Sequence, residues 1–262
     1  MKRLIVLLSA VMVLCLYTIA SEASSYSDLI SSVLDSMSEN DKNASGTPQQ
    51  TANGAYSAVE MLSIIAYRLD SSNRYSGYID DIIDTLNTND ENATGAPQQT
   101  ANGLYSCVEL LAVVGLELDS SGKYREHILQ VLEDMDTNDK DSTNITHQEV
   151  NGAYHIVKML TIIAYENGVD SDRTSAILDV WQSNDSLSTG TPQQLVNGLY
   201  RSVELVYLIG NQVDSWGIRN SYFSAVYDDW VDVNNKCNNA LQQIVNGMYR
   251  FVEMLAGWAL TL

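Results

Sequence analysis

The stretch Gln50-Thr51-Ala52-Asn53-Gly54-Ala55-Tyr56-Ser57-Ala58-Val59-Glu60 recurs four more times, with small changes, along a chain of 262 residues. The full pattern is Gln-x-x-Asn-Gly-x-Tyr-x-x-Val-Glu, and Lys158 replaces the glutamate in the third copy. A motif that returns at a nearly constant interval predicts tandem structural units. The Asn-Gly-x-Tyr core has spacings of 49, 49, 46 and 49 residues and begins at Asn53, Asn102, Asn151, Asn197 and Asn246.

The apolar residues of each unit follow a helical period. In the first unit they stand at positions 52, 55, 56, 59, 62 and 66, which share one face of a long helix. A shorter helix precedes it, with apolar positions 26, 29, 30, 33, 34 and 37. Turns such as Asp70-Ser71-Ser72-Asn73 are short, and connections of that length join antiparallel neighbours. We therefore predict an all-α fold of five tandem helical hairpins in one domain, residues 24–262, with repeats at roughly 24–70, 71–119, 120–168, 169–214 and 215–262.

The long helix is predicted to begin at Thr47-Pro48-Gln49-Gln50, with threonine as the cap, proline in the first position and glutamine completing a capping box. The Asn-Gly pair then falls in the second turn. A glycine there costs about 1 kcal/mol relative to alanine, so we expect a close helix contact. The alternative is that the pair itself begins the helix. A later position is always Ala or Gly, which predicts that another backbone passes close by: Ala66, Gly115, Ala164, Gly210 and Ala259.

The glutamine and asparagine of each motif are the candidate site residues. On helices that begin at the proline they share a face, and parallel long helices would present five such pairs at one end of the molecule. Two roles stay open: binding of a hydroxylated ligand such as a glycan, or hydrogen bonding between neighbouring repeats. The residues are Gln50, Asn53, Gln99, Asn102, Gln148, Asn151, Gln194, Asn197, Gln243 and Asn246.

The motif Gln50-x-x-x-Gly54-x-Tyr56 and its four copies resemble the Gln-x-x-x-Gly-x-Trp repeats of the terpenoid cyclases. That resemblance implies helical hairpins that close into an α/α toroid, with motifs that hold the outer parts together rather than catalyse. It covers about seven residues of each repeat. Tyrosine stands where the family has tryptophan, and no Asp-x-Asp-Asp motif accompanies it, so cyclase activity is not expected.

The C-terminal segment bears on whether the hairpins form an α/α toroid or a short α-solenoid. An open array needs polar caps, yet the last helix ends in the apolar stretch 254–262. Closure onto the first hairpin would bury that surface, and so would self-association through the C-terminal helix. Near-equal repeat lengths favour closure.

The N-terminus carries the signature of export. Lys2 and Arg3 precede an unbroken apolar run from Leu4 to Ala20, and Ser21-Glu22-Ala23 offers a cleavage site. We expect residues 1–23 to be a secretory signal peptide and the protein to be secreted or held at the cell surface. The alternative is an uncleaved N-terminal membrane anchor, which would be the protein's contact with the membrane.

The charge balance excludes one class of partner. Residues 1–23 hold two of the 14 basic and one of the 33 acidic residues, so the remainder has a net charge of 12 minus 32, or −20. Nucleic acid is therefore not expected as a partner, and an anionic membrane surface is disfavoured. Cys107 and Cys237 are too few for a disulfide framework.

The segments between the short and long helices are rich in Asn, Asp, Ser and Thr, and are predicted to be solvent-facing loops. Asn-Asp pairs recur in them at Asn40, Asn89, Asn138 and Asn184. The first four segments each carry one candidate glycosylation site: Asn43, Asn92, Asn144 and Asn184.

Catalytic signals are sparse. The three histidines lack the spacing of a helical metal site, and neither a nucleophile elbow nor a phosphate loop is present, so we assign no catalytic residue, metal or cofactor. Two function classes remain. The first is an exported noncatalytic scaffold for binding or assembly, whose partner is a glycan, another surface protein or a second copy of the chain. The second is a secreted α/α-toroid enzyme that acts on carbohydrate, with glutamates facing a central cavity.

Overall fold

A computed structural model describes residues 26–262, and these fold into ten α-helices without a strand. The predicted signal peptide and its cleavage site lie outside the described residues. The all-α prediction is confirmed for the described chain. The helices are α1 Tyr26–Asn43, α2 Thr47–Leu69, α3 Ser76–Glu91, α4 Ala96–Leu118, α5 Arg125–Lys140, α6 Ile145–Glu166, α7 Ser171–Leu187, α8 Thr191–Val213, α9 Asn220–Lys236 and α10 Ala240–Ala259.

Short and long helices alternate along the chain, and neighbouring helices pack in tandem. Each short helix packs against the long helix that follows it, and each long helix packs against the long helix of the next hairpin. The short helices are buried along one stripe only, as in α1 at Ile30, Val33 and Met37. The long helices are buried on nearly all sides, and in α2 every residue from Thr51 to Val59 is buried. The long helices therefore form the core and the short helices cover it.

The glycines of the repeated motif lie in the second turn of the long helices, as predicted, and each allows two long helices to approach. A Cβ atom on Gly103 would lie 2.9 Å from the Cβ of Ala55, and one on Gly152 would lie 2.8 Å from the Cβ of Leu104. Carbon atoms do not approach that closely without strain. The interpretation that the Asn-Gly pair begins the helix is wrong, because α2 begins at Thr47.

The capping box predicted for the long helices does not form in α2. Gly46 is the N-cap residue, no side chain caps the helix, and Thr47 is already helical. Gln50 donates its amide hydrogen to Asp41 on α1 instead of turning back to the cap. A tertiary contact therefore replaces the local one.

In two of the long helices, the small residue near the end makes room for a side chain and not, as predicted, for another backbone. A Cβ on Gly115 would lie 3.0 Å from Cδ1 of Ile128, which belongs to α5. At Gly210 the space is filled by the ring of Phe223 on α9. In both hairpins the small residue accommodates a side chain from the following short helix, and not a passing backbone.

The last long helix packs against the first one. Gly54 of α2 faces the ring of Tyr249, just as Gly103 faces Tyr56. Near the other end of α2, Nη1 of Arg68 donates a hydrogen bond of 3.0 Å to the carbonyl of Ala259. The apolar stretch of α10 is buried within the chain as a result, at Met254, Leu255, Ala256, Gly257, Trp258 and Ala259.

Among the described residues, α4 is long and apolar enough to cross a membrane, with a mean hydropathy of 1.4 over its most apolar stretch. Its neighbours explain that composition. It packs between α2 and α6 and against the short helix α3, so most of its side chains are buried inside the fold. The apolar character of α4 is that of a core helix.

Candidate functional site

A polar side chain at the end of each short helix, a carboxylate in four of the five, joins two hairpins. Oδ1 of Asp139, in the last turn of α5, accepts a hydrogen bond of 2.8 Å from Nε2 of Gln148 in its own hairpin. The same oxygen accepts one of 2.7 Å from the hydroxyl of Tyr105 in the preceding hairpin. Burial raises the pKa of the Tyr105 hydroxyl, and the charge of Asp139 raises it further, so the hydroxyl stays a donor. We call this arrangement the tyrosine–aspartate–glutamine tie.

The tie recurs in every hairpin, and one of the five joins the last hairpin to the first. Asn234 replaces the aspartate in the fifth hairpin, where its amide oxygen accepts from Tyr200 and Gln243. Tyr249 of α10 donates to Asp41 of α1 over 2.7 Å. The five ties are Tyr56–Asp90–Gln99, Tyr105–Asp139–Gln148, Tyr154–Asp185–Gln194, Tyr200–Asn234–Gln243 and Tyr249–Asp41–Gln50.

The candidate amides are therefore engaged within the protein. Gln50, Gln99, Gln148, Gln194 and Gln243 all donate to the tie. Four of the asparagines donate to a backbone carbonyl of their own short helix: Asn53, Asn151, Asn197 and Asn246. Asn102 accepts a hydrogen bond from Gln98 and lines an open groove. Ligand binding by these ten residues stays a prediction, and their hydrogen bonds give each a structural role.

Sequence reasoning missed the acidic partners of the tie. The Asn-Asp pairs were expected in loops, but Asp41 and Asp90 lie in the last helical turns of α1 and α3. A signal was present, because the aspartate or asparagine always precedes the glutamine of the motif by nine residues, as in Asp41 and Gln50. A spacing that stays constant across the loop between two helices indicates a contact between the two residues.

Two open grooves run between neighbouring short helices, one between α3 and α5 over α4 and one between α9 and α1 over α10. The equivalent positions over α2, α6 and α8 are called grooves 1, 3 and 4. Each long helix contacts the short helix of its own hairpin and that of the next, and α10 contacts α1 in the same way. We number each groove after the hairpin whose long helix forms its floor. Groove 2 has a volume of about 310 Å³ and is lined by Tyr78, Thr85, Asn89, Asn102, Tyr105, Ser106, Glu109, Leu132, Met135, Asp136 and Asp139.

Groove 5 has the same construction although its walls come from opposite ends of the chain. Its volume is about 350 Å³. Asp41 and Gln50 of the first hairpin form one wall, and Val233 and Lys236 of α9 form the other. Arg250 of α10 lies in its floor, where groove 2 has Ser106.

The floor residues distinguish the grooves from one another. They occupy two positions of the motif, the residue after the tyrosine and the residue three further on. Both positions lie on the outer face of the long helix, as Ser106 and Glu109 show in groove 2. From groove 1 to groove 5 the pairs are Ser57 and Glu60, Ser106 and Glu109, His155 and Lys158, Arg201 and Glu204, and Arg250 and Glu253.

Grooves 1 and 2 hold a carboxylate beside a serine, without a basic floor residue. Burial raises the pKa of Glu60 to about 7, with no opposing charge among the causes. Burial also raises the pKa of Glu109. A carboxylate that loses water and gains no cation is costly to keep ionised. These two groups are the least compensated acids of the groove floors.

Groove 3 has a basic floor. Burial lowers the pKa of His155, and the charge of Lys158 lowers it further, while the hydrogen bond to the carbonyl of Asn151 opposes both. The ammonium of Lys158 lies 3.7 Å from the carboxylate of Asp134 on α5. The third copy of the motif is therefore chemically distinct, and its lysine pairs with the adjoining short helix.

Grooves 4 and 5 compensate the glutamate with arginine. Arg201 lies 2.7 Å from the carboxylate of Glu204, and the two side chains are 12% and 18% exposed. Arg250 pairs with Glu253 over 2.5 Å and with Asp229 of α9 over 2.6 Å. Burial raises the pKa of both glutamates, and the arginine charge opposes the shift in each groove.

The middle of the bundle is filled with apolar side chains. Asn53 faces α1, and Leu62 follows it by two and a half helical turns, so Leu62 lies on the opposite side of α2. The equivalent residues are all fully buried: Leu62, Leu111, Leu160, Val206 and Leu255. Glu109 thus faces outward into groove 2, and the equivalent glutamates lie on the same outer side of their helices. Within residues 26–262, no group of three or more His, Cys, Asp and Glu side chains is placed to hold a metal ion.

The candidate glycosylation sites are all exposed and lie at one end of the molecule. Asn43 and Asn92 stand at the ends of α1 and α3, and Asn144 caps α6 with its side chain. Asn184 lies in the last turns of α7. The long helices begin at this end, and the turns that follow them lie at the other. Use of these sites stays a prediction.

Comparison with protein-family models, with curated proteins and with solved structures found no match to this chain. The resemblance to the terpenoid cyclases therefore remains confined to the short repeated motif.

Proposed function

We propose that the chain is an exported, noncatalytic scaffold, an α/α toroid of five hairpins that binds a polyhydroxylated molecule such as a glycan in grooves 1 and 2. The observation that carries the proposal is the pair Glu60 and Glu109, outward-facing carboxylates whose ionised form is disfavoured by burial without a compensating cation. The fold keeps an unpaired glutamate in two grooves and pairs the equivalent glutamate with arginine in two others. Residues that lower the stability of the fold and are nevertheless retained are typical of binding sites.

Closure of the ring is supported by the equivalence of the fifth tie to the other four. The hydroxyl of Tyr249 meets Asp41 at 2.7 Å, which is the distance between Tyr105 and Asp139. Gly54 meets Tyr249 as Gly103 meets Tyr56. A closed ring has no free terminal hairpin, so it needs no polar cap, and it presents its grooves on a rigid frame.

The chemistry of groove 2 suits a sugar ring. The carboxylate of Glu109 accepts hydrogen bonds from hydroxyl groups, while Ser106 and Asn102 can donate or accept them. The ring of Tyr78 is 48% exposed and offers an apolar face to a pyranose. A volume of about 310 Å³ lies at the lower end of the range for small-molecule sites.

The second candidate is an enzyme that acts on carbohydrate. This candidate requires a central cavity flanked by glutamates. Buried leucines and a valine fill the middle of the bundle in the described residues, so that requirement is not met there. Groove 2 offers two acidic groups for such chemistry, since Glu109 with its raised pKa and Asp136 line the same space. Hydrolysis of a bound glycan that disappears in Glu109→Gln would favour this candidate.

The test is a glycan array probed with the exported protein and three single variants. Glu60→Gln and Glu109→Gln keep the shape of the side chain and remove its charge, and we expect each to weaken binding in its own groove at least about tenfold through the lost charged hydrogen bonds. Glu204→Gln is the matched control in an arginine-paired groove and should bind as the unmodified protein does. Equal binding by all four proteins, or none by any, would overturn the proposal.

Export and surface location belong to the same proposal. We expect secretion of the chain with a new N-terminus at Ser24, which mass spectrometry of the exported protein would establish. A retained N-terminus would instead favour the membrane-anchored form. Self-association and binding to another surface protein are the remaining partner classes, and light scattering at several concentrations distinguishes a monomer from an assembling species.

A further inference from the structure

The turn that follows the fourth long helix exposes two large apolar side chains. Trp216 is 87% exposed and Ile218 is 70% exposed, the former being the most exposed large hydrophobic residue among those described. They lie in the connection between α8 and α9. Exposing so much apolar surface to water is unfavourable, so the exposure of these two adjacent side chains calls for an explanation.

The fold itself does not require them. In the first, second and fourth turns, an aspartate accepts hydrogen bonds from the backbone N–H groups four and five residues later, as Asp214 does from Ile218 and Arg219. A residue with positive φ completes each turn: Asn73, Gly122 and Gly217. At the position of Trp216 the other two turns have Ser72 and Ser121, and at the position of Ile218 they have Arg74 and Lys123.

The turn holds the two side chains away from the protein. Asp214 is itself 8% exposed, and its two hydrogen bonds of 3.0 and 2.6 Å hold the backbone on which Trp216 and Ile218 stand. The arrangement is thus a rigid apolar tip on an otherwise polar turn. Such a tip loses little conformational entropy when it is buried in another phase.

Two further observations concern the end of the molecule that carries the tip. The described chain begins there, because Tyr26 stacks under the guanidinium of Arg68 in the last turn of α2, 4.7 Å from the ring centroid. The four candidate glycosylation sites all lie at the opposite end.

We propose that this end docks on a lipid bilayer, with Trp216 at the headgroup level and Ile218 inserted beside it. Tryptophan is enriched at membrane interfaces because its ring is apolar and its N–H is polar. Arg219 can reach the headgroups next to the tip. Carbohydrate at the far end would not obstruct the contact. The net charge of −20 on residues 24–262 directs the tip to zwitterionic rather than anionic lipid.

The experiment uses the exported chain with its N-terminus determined by mass spectrometry, and phosphatidylcholine vesicles whose acyl chains carry bromine. Trp230 and Trp258 are 5% and 1% exposed and Trp181 is partly buried, so contact quenching reports chiefly on Trp216, which is 87% exposed. We expect quenching and a blue shift of the unmodified protein, both lost in Trp216→Ser. If processing has removed residues 1–23, the double variant Trp216→Ser with Ile218→Lys should also reduce the partition coefficient in co-sedimentation at least about tenfold.

The double variant restores the residues of the second turn, so it should fold. Leu187→Ser is the matched control, because Leu187 is 74% exposed at the opposite end and should not affect binding. Adding phosphatidylserine to the vesicles should weaken binding. The proposal would be overturned if the unmodified protein showed no quenching, or if Leu187→Ser lost as much vesicle binding as the double variant. Neither result depends on the grooves, so it would leave the proposed glycan binding standing.

Discussion

Grooves 1 and 4 share a frame and differ in their floors. Each lies over a long helix whose tyrosine is tied to the next short helix, through Asp90 in one groove and Asn234 in the other. In groove 4 the carboxylate of Glu204 has Arg201 at 2.7 Å, whereas in groove 1 burial raises the pKa of Glu60 to about 7 without an opposing cation. The frame therefore fixes the fold, while the floor sets the charge of each groove.

The largest effect is expected from removing the cation in groove 4. Arg201→Met should lower the free energy of unfolding at pH 8 by about 3 kcal/mol, because Glu204 is then left buried and charged without a partner. The loss should shrink in acid, since loss of the Arg201 charge raises the pKa of Glu204 further and the carboxyl protonates on acidification. Urea denaturation at pH 8 and pH 5 measures both. The double variant with Glu204→Gln should recover part of the loss, and equal losses at the two pH values would contradict the ion pair's role.

Groove 1 should respond in the opposite direction. The folded-state pKa of Glu60, about 7, lies above the unfolded value of about 4.3. The folded protein therefore binds this proton more tightly, and its stability falls as the pH rises from about 4 to 7. Glu60→Gln removes that loss and should raise the free energy of unfolding at pH 8 by about 1–3 kcal/mol, with little change at pH 4.

Glu204→Gln provides the comparison for that gain, because it leaves Arg201 without its partner and should destabilise the protein at pH 8. The same substitution would then raise the free energy of unfolding at one position and lower it at the equivalent position. A gain in both grooves, or in neither, would show that the floor charges are not what distinguishes them.

The tie should contribute equally in grooves with different floors. Tyr56→Phe in groove 1 and Tyr249→Phe in groove 5 each remove a hydroxyl that donates to a carboxylate, Asp90 in the first and Asp41 in the second. Each should cost about 1.5–3 kcal/mol, the usual range for a hydrogen bond to a charged group. Thermal and urea unfolding of both variants checks this. A negligible cost at Tyr249 alone would mean that the contact between the last and first hairpins is weaker than the others.

The smallest effect belongs to groove 3. The pair between Lys158 and Asp134 is 3.7 Å long and both side chains are more than a third exposed, so Lys158→Met should change stability by less than about 1 kcal/mol. The pKa of His155 should rise, because Lys158 is one of the groups that lowers it. Titration of the imidazole by NMR measures the change. An unchanged or lower pKa would contradict the coupling between the two residues.

Several features of the fold could be predicted because their causes are local. A glycine in the second turn of a helix costs stability, so five of them predict close contacts, and Gly103 against Ala55 has that contact. The helical period of the apolar positions predicts one buried face on the long helix, and Ala52, Val59 and Leu62 on that face are fully buried.

Other features were missed because their partners are remote in the sequence. The capping box failed because Gln50 has a better acceptor in Asp41, nine residues earlier, than in its own helix start. Asp41 and its equivalents were assigned to loops because Asn, Asp and Ser are typical of turns, while in the fold the last turn of each short helix continues through them. The exposed tip at Trp216 gave no periodic signal at all, since a single turn has no period.

The amino-acid sequence by itself determined a tandem array of helices, because periodicity within each helix and recurrence between units are properties of nearest neighbours along the chain. Only the tertiary structure decided that α10 packs against α2, that Tyr249 meets Asp41, and that Glu60 faces a groove without a cation while Glu204 has one. The physical reason is that these contacts depend on the rotation between successive hairpins. That rotation accumulates over five units through side-chain packing, and no local pattern encodes it.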